Sequence, residues 1–140
     1  MIDWHIHSKL QANNAHRVDL KDCRSAEAVL QRLEKIATQP FDRPDIVGVN
    51  MRNGSWTDDD IMTRLTLDQR VSADRPVYLF YNGYHSMVCN TLGMKKVDMP
   101  HEGHSGLLKE HEAWEPMRKV GLIDDDTMDR WIFQEAEKAA

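Results

Sequence analysis

The chain has 140 residues, of which 41% are hydrophobic and 29% charged, a balance that suits one globular domain over residues 1–140 and argues against disorder throughout. Its net charge is −5, and its basic residues gather no further than pairs such as Lys95-Lys96 and Arg118-Lys119. Affinity for a phosphate backbone comes from clustered Lys and Arg, so nucleic acid is not an expected partner.

In chain order, Met1 to His7 alternates as the end of a strand does, and Leu10 to Asp22 is polar, with Asn13-Asn14 as a turn signal. A helix is expected from Ser25, whose hydroxyl can accept from the free N–H groups of the first turn. Ala28, Val29, Leu33 and Ile36 follow at helical spacing, and Pro40 stops the pattern. Asp45 to Asn50 reads as a short buried strand. Asn53-Gly54 is a turn. Thr57 with Asp58, Asp59 and Asp60 reads as a helix start, with Ile61, Leu65 and Leu67 as its apolar side. The acidic triplet lacks the alternating ligands and central Gly of a calcium loop.

Pro76 to Asn82 is the strongest strand, a continuous apolar and aromatic run that implies cover on both faces. Gly83 ends it. Ser86 to Leu92 reads as a short helix, Pro100 to Gly106 as a loop, and Leu107 to Val120 as an amphipathic helix kinked or bounded at Pro116. Asp126 or Thr127 caps a last helix with Met128, Trp131, Ile132 and Ala136 as its stripe. Trp56, Trp114 and Trp131 are expected as packing anchors.

Strands alternating with helices predict an α/β fold with parallel strands and flanking helices. Closing an eight-stranded barrel takes about 250 residues, so a partial TIM-barrel-like fragment is the largest piece of such a barrel this length can hold. No run reaches the about 18 apolar residues of a membrane span, and Met1 to His7 lacks a signal peptide's basic and apolar regions; a cytoplasmic protein without a membrane partner is expected. Cys23 and Cys89 are too few and too far apart for a disulfide framework or a zinc knuckle and read as reduced, partly buried thiols.

The sharpest chemical signal is Asp3-Trp4-His5-Ile6-His7. Side chains at i and i+2 of a strand share a face, so His5 and His7 would project together as two imidazole ligands, with Asp3 placed to orient one ring. The pattern alone is equally compatible with two exposed histidines at a frayed terminus. His85 sits just past the end of the strongest strand, where a loop histidine can face a substrate or simply hydrogen-bond backbone. His101, His104 and His111 form a looser group, read as solvent-exposed because no Cys or helical H-x-x-x-H spacing supports them. Ser8, Ser86 and Ser105 lie in no nucleophile elbow, and no phosphate-cradling or dinucleotide-binding glycine loop is present.

The D-x-H-x-H pattern resembles the end of the first barrel strand of the amidohydrolase superfamily. Further pieces are similar to its amidohydrolase-3 branch, the N-substituted formamide deformylase-like enzymes: the helix from Ser25, the strand around Ile46-Val47-Gly48-Val49, Leu67-Asp68-Gln69-Arg70 leading into Asp74-Arg75-Pro76-Val77-Tyr78-Leu79, then Asn82 to Asn90, and Gly106-Leu107-Leu108-Lys109-Glu110. The resemblance covers most of residues 2 to 115, and it departs from the branch at Asn82-Gly83, where the common pattern has Asp-Gly.

It implies a metal-dependent hydrolase acting on C–N, amide-type bonds of a small molecule. A divalent metal, Zn by expectation, would be held by His5, His7 and Glu110, or by Lys109 if carbamylated. His85 would be the catalytic residue facing the substrate or oxyanion. The branch's later histidines and catalytic Asp have no counterpart in these residues, so the 140 residues alone are expected to be incomplete and inactive. The alternative is a non-enzymatic small α/β domain that binds a partner or forms a homo-oligomer through exposed strand edges.

Overall fold

The computed structural model describes residues 17–40, 45–52, 56–120 and 125–139. Its sheet has five strands in the order β1 (Val18–Asp19), β2 (Ile46–Met51), β3 (Val77–Tyr81), β4 (Ser86–Cys89) and β5 (Leu107–Lys109). β1, β2 and β3 are parallel; β4 runs back against β3, and β5 back against β4, so four of the five strands point the same way. The helices are α1 (Ala26–Ala37), α2 (Arg64–Arg70), α3 (Thr91–Lys96), α4 (His111–Val120) and α5 (Asp125–Ala139), with a short 3-10 turn at Asp59–Ile61. The expected α/β class, with mainly parallel strands and flanking helices, is the one found. No described helix is long and apolar enough to cross a membrane.

The strands are apolar on both sides because both sides are covered. On one face Val47, Val49, Tyr78, Phe80, Met87, Cys89 and Leu108 pack with Met94 of α3 and with Ala113 and Met117 of α4. On the other, Ile46, Met51, Val77, Leu79, Tyr81 and Val88 pack with Ala26, Val29, Leu30 and Leu33 of α1 and Leu67 of α2. The alternation along Val77–Tyr81 is the two-residue period of a strand, masked in the sequence because neither face is wet. Cys23 and Cys89 are free and buried, and burial pushes the Cys89 thiol well up, so it is an inert packing group. Trp114 is buried and Trp56 packs against the core as expected.

Ser25 caps α1 as its type predicts, its hydroxyl accepting from Ala28 N at 3.0 Å. A second cap comes from far away. Both carboxylate oxygens of Asp58 accept N–H groups of that first turn, from Ala26 and Glu27, each at 3.0 Å. The expectation that the acidic triplet starts its own helix is thereby corrected. The positive end that Asp58 satisfies belongs to α1, and the helix after the triplet starts at Arg64, capped by Thr63. Leu65 faces outward, leaving Leu67 as the buried residue of α2. Arg70 ties α2 to α1 through a fork on Glu27 (2.6 and 2.7 Å) and a contact with Glu34 (2.6 Å).

Two further expectations are corrected. Ser86 to Cys89 is strand β4, paired with both β3 and β5; a run of four residues buried on both faces is too short to show a period that separates it from a helical turn. Residues 107–120 are not one helix: β5 pairs with β4 first, Glu110 turns the chain with φ +52, and α4 follows, carrying Pro116 inside it.

Candidate functional site at the carboxyl edge of the sheet

In sheets of parallel strands, ligands bind beyond the carboxyl ends, where loops diverge. Here that edge collects the end of β1 at Asp19, of β2 at Asn50 and Met51, of β3 at Asn82, and of β5 at Lys109, together with the loop 82–85 that opens β4. Four non-glycine residues of the described chain have positive φ, and three lie on this edge: Asn50 (+63), Tyr84 (+61) and Glu110 (+52). Such backbone costs stability and persists where the surroundings impose it, most often at binding or catalytic edges.

Each of the three aims a side chain. At Asn50 a bulge puts Gly48 to Met51 of β2 against Leu79 to Tyr81 of β3, one residue more on the β2 side. The Asn50 amide then donates to Asp19 Oδ1 at 3.1 Å, across the ends of β1 and β2. At the β3–β4 loop, Tyr84 N donates to Tyr81 O at 3.1 Å and Gly83 takes φ +90, a value glycine adopts without cost. The Tyr84 side chain turns into the core beside Phe80 and Met87, which anchors the hairpin and leaves His85 outside. At Glu110 the turn out of β5 brings Glu110 N to His85 O at 2.7 Å.

That last bond joins two residues singled out separately in the sequence. His85 Nδ1 lies 3.3 Å from Glu110 Oε2, with side chains 68% and 55% exposed. A carboxylate can only accept, so this contact places the ring hydrogen on Nδ1 and leaves Nε2 of the neutral ring with a free lone pair toward solvent. A carboxylate holding one ring nitrogen so that the other is presented is the usual setting of a ligating or proton-transferring histidine.

His5 and His7, and Asp3 beside them, lie outside the described residues. The looser histidine group makes contacts of its own, and His101 and His104 are half-buried where exposure was expected; only His111 is exposed. His104 Nδ1 accepts from Gly106 N at 2.9 Å and its Nε2 is 3.8 Å from Glu112, while the His111 ring packs 4.5 Å from that of Trp114. Among the described residues, no group of three or more His, Cys, Asp or Glu side chains could hold a metal ion. The Asp19–Asn50 pair was not legible in the sequence. Its only signal is a left-handed asparagine in a bulge, which needs coordinates to see.

The fold is shared with two metal-dependent hydrolases. One is an uncharacterized metal-dependent hydrolase from Pyrococcus horikoshii OT3, with a TM-score of 0.61 and 20% identity over 83% of this chain and 22% of that one. The other, an uncharacterized metal-dependent hydrolase from Pyrococcus furiosus, gives a TM-score of 0.59 and 20% identity over 91% of this chain and 26% of that one. The chain therefore spans about a quarter of the length of these proteins. No family model matches it, and no curated protein does.

Proposed function

We propose that these residues form part of a metal-dependent hydrolase acting on amide-type C–N bonds, with the working groups on the carboxyl edge of the sheet. The observation that carries the reading is the His85–Glu110 pair, held by two left-handed residues where β3 and β5 end. Similarity in fold to two proteins described as metal-dependent hydrolases supports it, as do β1, β2 and β3 joined by crossovers whose helices share one face, the progression from which barrels are built. The amidohydrolase-3 branch, with its D-x-H-x-H signature, is the proposed kinship.

The donor set suits a divalent ion in kind, since imidazole and carboxylate are the usual ligands of zinc. In number it is partial: the carboxyl edge offers one such pair, His85 with Glu110, among the described residues, and a catalytic zinc takes three protein ligands. His5 and His7 are the proposed imidazole ligands and Glu110 the proposed carboxylate. When bound, the metal would bring the pKa of a water toward about 7 and polarise the scissile carbonyl. The chain's own part is to hold the His85 ring by Glu110 with Nε2 toward the substrate, where a proton carried on Nε2 would be donated to the charge developing on the substrate's oxygen.

Zinc titration of the 140-residue chain tests this. One ion per chain is expected, lost in His5→Ala and His7→Ala and weakened in Glu110→Ala; equal binding by all four proteins would sink the assignment. Ordinary amide turnover by the 140-residue chain would show that the ligand set is not partial.

A second reading, a domain that pairs with a partner or another copy, draws on Ile132 (50% exposed) and Phe133 (64% exposed) on α5. The strand edges support it less, because β1 and β5 offer only two and three residues of ladder. Concentration-dependent light scattering decides its self-pairing form, and a monomer throughout would end that form.

A further inference from the structure

We propose that Asn82 is a site of spontaneous deamidation in the folded protein, converting this position at the rim of the candidate site into aspartate or isoaspartate. The inference rests on three features of one turn and stands whether or not the chain is a hydrolase.

The reaction needs the backbone nitrogen after an asparagine to reach that residue's side-chain carbonyl. Gly83 N loses its proton to base and attacks Asn82 Cγ; the C–NH2 bond breaks and ammonia leaves, closing a five-membered succinimide. Water then opens the ring at either carbonyl, giving aspartate or isoaspartate, with no change of oxidation state. A fold blocks this path by burying the amide, by hydrogen-bonding it, or by engaging the following N–H.

Among the described residues Asn82 meets none of these obstacles. It is exposed, and its side chain makes no hydrogen bond. The bond that closes the turn is made by Tyr84 N, and Gly83 N donates to nothing. The turn is also uncrowded: apart from its two chain neighbours, a Cβ built at Gly83 would meet only the Cδ2 atom of His85, at 3.5 Å. Gly83 itself has φ +90 and no side chain to shield its nitrogen.

The other described asparagines are blocked. Asn90 is fully buried, with its Oδ1 accepting from Val77 N and Gly93 N and its Nδ2 donating to Ser72 O and Arg75 O. The next nitrogen, Thr91 N, is held by Asp68 Oδ1 at 2.9 Å. The Asn50 amide is engaged by Asp19. The product at position 82 carries a negative charge three residues before His85, and the isoaspartate form adds a backbone atom to the hairpin.

The test is to hold the folded chain in mildly alkaline buffer, digest it, and localise amide-to-acid conversion by fragment-ion mass spectrometry, with isoaspartyl methyltransferase labelling. A parallel sample is unfolded in urea. Fragment ions separate Asn82 from Asn53, which also precedes a glycine. The expected result is first-order loss of the Asn82 amide in the folded chain, rising in proportion to hydroxide, with Asn50 and Asn90 unchanged and the signal absent in Asn82→Ser. Retention of Asn82 in the folded chain, or conversion more than about tenfold slower than in urea, overturns the proposal, because the reaction would then need local opening of the turn.

Discussion

The side-chain carbonyl of Asn90 accepts the backbone N–H of Val77 at 2.9 Å, joining the start of β3 to the start of α3. The same oxygen takes Gly93 N at 2.8 Å as the N-cap of α3, and the amide nitrogen gives to Ser72 O and Arg75 O, each at 2.8 Å. One buried side chain thus satisfies four backbone groups from three segments.

Asn90→Ala leaves those four groups without their partner, and we expect it to destabilise the fold by about 3–5 kcal/mol, a large part of a typical total. Asn90→Asp keeps the accepting oxygen but turns a second oxygen toward two carbonyls, and is expected to cost a comparable amount. Urea unfolding checks this, with the midpoint falling and the slope unchanged.

Glu110 adopts φ +52, which is strained for any residue with a Cβ. Glu110→Gly relieves a cost of about 1–2 kcal/mol and incurs about 0.5–1 kcal/mol of chain entropy, so a net gain and a rise in Tm of a few degrees, roughly 2–4 °C, are expected. The same change removes the carboxylate beside His85 and should weaken zinc binding. Greater stability with poorer binding is the signature of strain kept for function. A drop in Tm would mean the backbone there is not strained.

Gly106→Ala should do the reverse. Gly106 has φ +93, and a Cβ there would come within 2.6 Å of Cys89 O and 2.9 Å of Arg64 N, neither of which can move freely. A loss of about 2–4 kcal/mol is expected. Hydrogen exchange would show protection lost first in β5, since Gly106 O accepts from Cys89 N just ahead of the β4–β5 ladder.

Acid should loosen α1. The backbone N–H groups of Ala26 and then Glu27 hold the Asp58 carboxyl below its usual 3.8, and Arg70 holds that of Glu27 below its usual 4.5. Both folded values are depressed, so their stabilisation is complete above those usual values and is lost as pH falls through the folded ones. Asp58→Asn should flatten that part of the pH–stability curve. Helicity followed by circular dichroism during acid titration reads it, and an unchanged curve would remove Asp58 from the cap.

At the alkaline end the sign is opposite. Burial raises the Tyr78 hydroxyl to about 12 and pushes Tyr81 upward as well. The fold favours the neutral phenols, so this contribution is full below about 10 and is lost as pH climbs through the raised values. Absorbance titration should show Tyr78 and Tyr81 ionising late, in step with unfolding; early ionisation of these two would contradict their burial.

Elements with a local cause were legible in the sequence. Ser25 announced α1, and the runs at Ile46 and Val77 announced the two central strands, because caps and apolar runs act over a few residues. What escaped has causes elsewhere in the chain. Ser86–Cys89 is a strand because β3 and β5 flank it, and Asp58 serves a helix 31 residues away by sequence in its bond to Glu27. His85 and Glu110 could each be picked out by type and place, but their pairing follows from β4 and β5 lying side by side, which nothing near either residue encodes.

The tight return from β3 to β4 bears on how the chain first organises. Residues 82–85 span that junction, whereas 52–76 separate β2 from β3. Bringing the first pair together costs about 1–2 kcal/mol less in chain entropy. The hairpin that presents His85 is therefore expected to nucleate the sheet, so lengthening its tip should slow folding more than inserting the same residues after Met51.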